Sequence, residues 1–418
     1  MGSSDSDAAE NKPPTRGRGR GRGSSRPSPA PGPSPSGSVS DTPADQSAPE
    51  SATRFATSLP VAPLIVHEVQ GAARRTHKNR LPCMYLTSDL LCSSINPEGI
   101  LKEGNGIIFL ETTDRMEPPS LVLCAIESAA RVYPDRPVVF FMKGLTDINT
   151  EEDEKQAKKR FPSLSSLQNV YIFPLKMEEL FKDTPLLKWF LKADPKHETY
   201  WIHNLSDGCR MAMMWRYGGF YFDSDVISMR PIPEINFLTA EHDQTSGSSV
   251  FGLTPHHSFA WTSLNDFVQN YNGDAWGNQG PTLFTRVLKQ SCELSAFKSL
   301  DNIVCGNISF LHPERIYPIP YGGWKRYFEV WDKTPTFDNS YALHLWNYMN
   351  SVEKKTVVIG SNTLVENLYK QYCPSIYELL AKNKTEKWKG KREGRKERKK
   401  KGEGGRDEEK VNVNREVD

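Results

Sequence analysis

Asp223 and Asp225 stand two residues apart at the end of a short aromatic run, Phe220-Tyr221-Phe222. Residues two apart on a strand project the same way, so both carboxylates would face one point. Carboxylates that close repel, and a cation between them relieves the repulsion. Oxygen donors of this kind suit Mn2+ or Mg2+, and such an ion in turn holds a diphosphate. Upstream, Asp207 and Arg210 are three apart, a spacing that places an acid and a base on one helix face. The four residues together suit a metal-bound diphosphate beside an array of sugar hydroxyls.

The surrounding sequence must position them. Ser206 is read as the cap of a helix, with Asp207 in its first turn, near the positive end of the dipole. Met211, Met214 and Trp215 recur at helical spacing. Gly218 and Gly219 stop the helix, because glycine takes left-handed backbone cheaply. The aromatic run is a strand, and it delivers Asp223 and Asp225 at its C-terminal end, where open α/β sheets bind ligands. A bare Asp-x-Asp arises often by chance, and Asp207–Arg210 alone reads as a surface ion pair. The joined string, Ser-Asp-x-x-Arg then Gly-Gly-x-Tyr-x-Asp-x-Asp, is far more specific.

The rest of the chain bounds the answer. Its 418 residues, 37% of them hydrophobic, can build a sizeable core, and a net charge of +2 gives no global field that selects nucleic acid. Residues 1–78 are rich in Ser, Pro, Gly and Arg, a composition that buries too little apolar surface to order the chain. The run RGRGRGRG, Arg16 to Gly23, reads as solvated tail more than as an RNA contact. Residues 382–418 are a charged tail of the same kind. No run of 18 apolar residues and no signal peptide are visible. Seven cysteines show no metal-binding spacing, and their odd count leaves at least one without an intramolecular partner. Asn204, Asn307 and Asn383 head glycosylation sequons; Asn204 lies beside the proposed site, which argues against its use.

Between the tails the pattern alternates strand and helix. Gly106–Leu110, Val138–Met142 and Val170–Pro174 read as buried strands, and Leu121–Tyr133 as a helix. That alternation predicts an α/β chain with a Rossmann-like sheet and flanking helices. Glu178–Ala193 reads as short helices broken at Pro185. Phe259–Tyr271 and Thr282–Leu288 read as helices, Ile316–Ile319 and Tyr341–Trp346 as strands, Tyr321–Trp324 as a turn. Tyr200, Trp201 and His203 are either a pocket floor or ordinary core. Gly277-Asn278-Gln279-Gly280 is either a polar-ligand loop or a helix entry turn. Trp324 is a stacking platform or a packed aromatic.

The central string resembles the DxD α1,4-glycosyltransferases, the family of lactosylceramide 4-α-galactosyltransferase and its N-acetylhexosaminyl relatives. GIIFLETTDR (Gly106 to Arg115), WGNQGPTLFTRV (Trp276 to Val287), YPIPYGGWKRYF (Tyr317 to Phe328) and YALHLWN (Tyr341 to Asn347) follow in the family's order. The resemblance spans roughly Pro82 to Leu380. The chain departs from it in the loop Ser246–His257, where the family carries Asn-Gly near Gly247-Ser248. The resemblance implies a type-A nucleotide-sugar transferase fold, with a donor-binding DxD half at 80–245 and an α1,4-transferase region at 246–381. It implies retaining transfer of galactose, or else an N-acetylhexosamine, from a UDP-sugar to a terminal sugar of a glycolipid, or alternatively of a glycoprotein glycan, with Mn2+, or Mg2+ as the other option, held by Asp223, Asp225 and His344. Asp207 and Arg210 would orient the donor sugar. Glu111, Thr112, Tyr221, Gln279, His344 and Trp346 would line the donor site. It further implies a lumenal Golgi protein whose membrane anchor is not present in this chain.

Overall fold

The computed structural model describes residues 95–148 and 150–386. The N-terminal tail with its Arg-Gly run, Cys83, Cys92 and residues 387–418 lie outside the described residues. The strands are β1 (Ile107–Glu111), β2 (Val138–Met142), β3 (Val170–Pro174), β4 (Gly219–Phe222), β5 (Val226–Ser228), β6 (Phe237–His242), β7 (Thr245–Leu253), β8 (Ile303–Cys305), β9 (Ile308–Leu311) and β10 (Ala342–His344). The helices are α1 (Pro97–Leu101), α2 (Ser120–Val132), α3 (Glu151–Lys159), α4 (Met177–Phe181), α5 (Leu186–Phe190), α6 (Trp201–Tyr217), α7 (Ser258–Gln269), α8 (Pro281–Leu288) and α9 (Leu364–Tyr372).

The main sheet runs β3-β2-β1-β4-β7-β6-β9-β8. Strands β1 to β4 are parallel, and β7 turns the sheet antiparallel against β4. This is the mixed α/β sheet that the alternation predicts. The chain leaves β1 toward β2 and later returns on its other side as β4. The carboxyl ends of β1 and β4 therefore form a topological switch point. The apolar runs are continuous because both sheet faces are covered. Ile107, Phe109, Phe220 and Phe222 enter one core, with α2 and α9; Ile108, Leu110 and Tyr221 enter the other, with α4 to α8.

Gly219 (φ 89°) lets β4 approach β1 closely, since a Cβ there would lie 2.2 Å from Gly106 O. The sheet also crosses residue 245: β7 pairs β4 and β6, so the segments on either side of that boundary share one sheet. The Cys124–Cys373 disulfide ties α2 to the end of α9, and Cys292–Cys305 ties the α8 exit to β8; Cys209 is free and buried.

Several local expectations differ from what is found. Helix α6 begins at Trp201, so Ser206 and Asp207 are interior and neither caps it. Packing decides the start: Trp201 stacks against Trp189 and Phe190 one turn before the better capping residue. Residues 246–253 are not loop but most of β7. Ile316–Ile319 forms no strand, although Ile316 O accepts from His344 N at 3.1 Å. The Tyr321 turn continues as a 3-10 helix to Phe328, and residues 374–386 are helical, past the expected start of the tail at 382. No helix among the described residues is long and apolar enough to cross a membrane.

Candidate active site

Strand β4 ends at Phe222, so Asp223-Ser224-Asp225 lies in the turn between β4 and β5, closed by Val226 N on Asp223 O at 3.2 Å. The two carboxylates converge through that turn and not through strand alternation. The short ladder of β5 with β10 places His344 opposite Val226. Its Nε2 lies 3.3 Å from Asp225 Oδ1 and 4.0 Å from Asp223 Oδ2. Its Nδ1 is buried without a partner, so Nε2 is the nitrogen that serves the carboxylates. Asp223, Asp225 and His344 each offer a ligand atom within 4.8 Å of the others. Two oxygens and one imidazole nitrogen leave coordination positions for diphosphate and water, a donor set that fits a divalent cation.

Arg210 is the hub on the other side. From α6 its Nη1 reaches Asp223 Oδ1 at 3.1 Å and Ser248 O at 2.7 Å, and its Nε lies 3.3 Å from Asp207 Oδ1. Its Nη2 donates to Ser206 Oγ at 3.1 Å, the role that hydroxyl takes in place of capping. Burial disfavours the guanidinium, but Asp223, Tyr221 and Asp207 outweigh it and hold it protonated. Burial raises the Asp223 carboxyl, Arg210 opposes this, and Asp225 adds to the rise. Burial would raise Asp225 as well, but His344 and the Asn347 N–H, at 2.8 Å from Oδ2, bring it below its ordinary value. Burial would lower His344, yet Asp225, Asp223 and Glu241 raise it on balance.

Other expected residues take supporting places. Tyr221 is a buried ring beneath the Arg210 guanidinium, 4.7 Å from it, and its hydroxyl donates to Asp223 Oδ1 at 2.6 Å. It faces α6 because strand alternation turns it away from Phe220 and Phe222; it positions Asp223 and does not line a donor cavity. Gln279 is fully buried: Nε2 donates to Phe267 O at 2.8 Å and Oε1 accepts from Asn272 N at 3.2 Å, so it braces its own loop. Trp346 is largely buried with its indole N–H on Ile319 O, and its ring meets His344 edge-on at 4.3 Å, which fixes the imidazole plane. Trp324 is buried against Phe328 and offers no exposed stacking face. Glu111 and Thr112 lie at the switch point, but Glu111 turns back to accept from Thr113 N and Oγ1 at 3.0 and 2.6 Å. Asn204 is buried with its amide on Gly273 O, which removes that sequon.

Sequence reasoning missed the hydroxyl set under the imidazole. Tyr317 OH lies 2.6 Å from Ser249 Oγ and 3.3 Å from Thr239 Oγ1. A Cβ at Gly247 would come within 2.2 Å of that hydroxyl, so the glycine makes room for it. Tyr317 stood in a recognised motif, but only the pairing of β7 with β6 shows what it meets.

Asp207 carries a testable consequence. Burial pushes its carboxyl from an ordinary 3.8 up to about 6, against Arg210 and with help from Asp223. Its protonation therefore favours the fold below the unfolded value, and that contribution is lost as pH rises through about 6. At neutral pH the ionised form is a cost to stability. Asp207→Asn is expected to keep or raise Tm at neutral pH, because the amide removes the buried charge. Thermal denaturation of parent and variant across about pH 5 to 8 checks it.

The β4–β5 turn and β10 bring two aspartates and a histidine together beside a buried arginine, an arrangement that suits a glycosyltransferase of the DXD class, and comparison with known proteins shows that class. Residues 119–243 match the glycosyltransferase sugar-binding region containing the DXD motif, and 252–380 match the α1,4-glycosyltransferase conserved region. The chain is 52% identical over 285 residues to human α-1,4-N-acetylglucosaminyltransferase, covering 68% of this chain and 83% of that one. It is 35% identical over 321 residues to mouse lactosylceramide 4-α-galactosyltransferase, covering 76% and 86%. The chain belongs to the α1,4-glycosyltransferase family. Among solved structures, galactosyltransferase LgtC in complex with donor and acceptor sugar analogues aligns at a TM-score of 0.32 and 12% identity, over 57% of this chain and 86% of that one.

Proposed function

We propose that this chain is a retaining, Mn2+-dependent transferase that moves N-acetylglucosamine from a UDP-sugar to a terminal sugar of a glycan in α1,4 linkage. The convergence of Asp223, Asp225 and His344 beside the Asp207–Arg210 pair carries the reading. When bound, the metal neutralises charge that builds on the departing diphosphate. Asp223, Asp225 and His344 Nε2 would hold it, and Trp346 keeps that imidazole in plane. Asp207 accepts donor-sugar hydroxyls, and Arg210 fixes both Asp207 and Asp223 so that neither must reorganise during transfer. An α-linked donor giving an α-linked product keeps its configuration, and the leaving phosphate serves as base, so no protein nucleophile is assigned.

Galactose transfer to a glycolipid, the first expectation from the resemblance, is the second reading. The 52% identity to the N-acetylglucosaminyl relative against 35% to the galactosyl one favours N-acetylglucosamine. The two disulfides support a lumenal, Golgi location, since such bonds persist in oxidising compartments.

A donor screen tests this. The chain, secreted from a eukaryotic host, is incubated with Mn2+ and UDP-GlcNAc, UDP-Gal, UDP-GalNAc, UDP-Glc or GDP-Man, and nucleotide release is read with β-galactoside acceptors. Highest release from UDP-GlcNAc is expected. Highest release from UDP-Gal restores the second reading. Silence together with no UDP binding by calorimetry overturns both.

A further inference from the structure

Four aromatic rings from three separate segments meet at the rim of the site. Trp276 and Tyr348 stack face to face, centroids 4.0 Å apart and planes 16° apart. His203, from the first turn of α6, meets both edge-on at 4.7 and 5.0 Å, and Tyr200 meets Trp276 at 5.3 Å. Rings this large normally stack in order to bury. Here Trp276 remains 50% exposed and Tyr348 46% exposed. The cluster is pinned yet open, as a preformed platform must be.

Its location is fixed by two ties to the site. Tyr348 sits in the 3-10 turn Asn347–Asn350, whose first N–H is bonded to Asp225 Oδ2. Trp276 sits in the loop that ends at Gly280, which approaches the opposite side of the site so closely that a Cβ would lie 2.7 Å from Asp207 Oδ1. The rings therefore bridge the metal end and the sugar-orienting end, where the group leaving the donor must be received.

We propose that Trp276 and Tyr348 form the acceptor subsite and stack on the apolar face of the receiving pyranose. A β-galactoside presents such a face, with C–H groups on one side of the ring and hydroxyls at the edge. His203, edge-on to both rings, positions them. This assignment rests on the glycosyltransferase reading above and concerns a different half of the reaction.

The test separates the two. UDP binding with Mn2+, by calorimetry, reports on the donor half. Binding of lactose and N-acetyllactosamine in the presence of UDP, by saturation-transfer NMR, reports on the platform. Trp276→Ala and Tyr348→Ala are each expected to weaken disaccharide binding and raise acceptor KM about tenfold or more, from the lost stacking. UDP affinity and donor KM should stay at parent values, which also shows that the variants fold. Trp276→Phe should recover most of the loss. Unchanged acceptor KM in both alanine variants, or no disaccharide binding by a parent that binds UDP, would overturn the platform. A parent that fails to bind UDP would instead remove the donor reading on which it rests.

Discussion

Asp225→Asn is expected to lower kcat/KM by about a thousandfold or more while the protein stays folded, because electrostatic stabilisation of the leaving group is usually the largest single contribution. The amide keeps an oxygen for the Asn347 N–H, so the turn that carries Tyr348 should hold its place. What it loses is the charge that faces His344 Nε2 at 3.3 Å and would face the metal. Asp223→Asn should behave similarly, and it would leave Asp207 as the one charged partner of Arg210, beside Ser206 and Ser248. Both variants should show weaker Mn2+ binding in a direct titration. Parent-level, Mn2+-dependent turnover in both variants would sink the site assignment. Loss of turnover with unchanged metal affinity would mean the aspartates act on the donor and not through a cation.

The second large effect concerns stability. Removing the Cys124–Cys373 bond by changing both residues to serine is expected to cost about 3–5 kcal/mol, because crosslinks closing long loops restrict the unfolded chain most. The two cysteines are 249 residues apart in sequence, whereas Cys292 and Cys305 are 13 apart and should matter less. The bond does not act alone. Glu127, fully buried one turn beyond Cys124, accepts the Ser375 and Ile376 N–H groups that open the last helical segment. Chemical denaturation of the oxidised parent, the double variant and the Cys292/Cys305 pair of variants would rank them. A double variant within about 1 kcal/mol of the parent would show that Glu127 and core packing suffice without the bond.

The sequence showed the parallel strands well, because burial on both faces leaves unbroken apolar runs such as Val138–Met142 and Val170–Pro174. It showed Asp207, Arg210, Asp223 and Asp225 because local spacing set them near each other. It misread how they converge. The start of α6 is set by Trp201 packing on Trp189, which no capping rule anticipates. Strand β7 was missed because Ser246–Ser249 is polar and glycine-containing, and its buried hydroxyls find partners in Gly247 O, Thr239 O, Tyr317 and Arg210. The resemblance placed Tyr221 and Gln279 in the donor site, whereas burial commits each to a protein neighbour, Asp223 for one and Phe267 O for the other. The pairing of Trp276 with Tyr348 joins two loops remote in sequence, and no period or motif encodes it.

The β5–β10 ladder has a consequence for how the protein is made. Both aspartates leave the ribosome well before His344, which must return to lie opposite Val226. A nascent chain, or one cut short by a stop codon anywhere before 344, carries the complete Asp-x-Asp and no imidazole to complete the ligand set. The three-residue ligand set is therefore assembled only in chains that extend past residue 344.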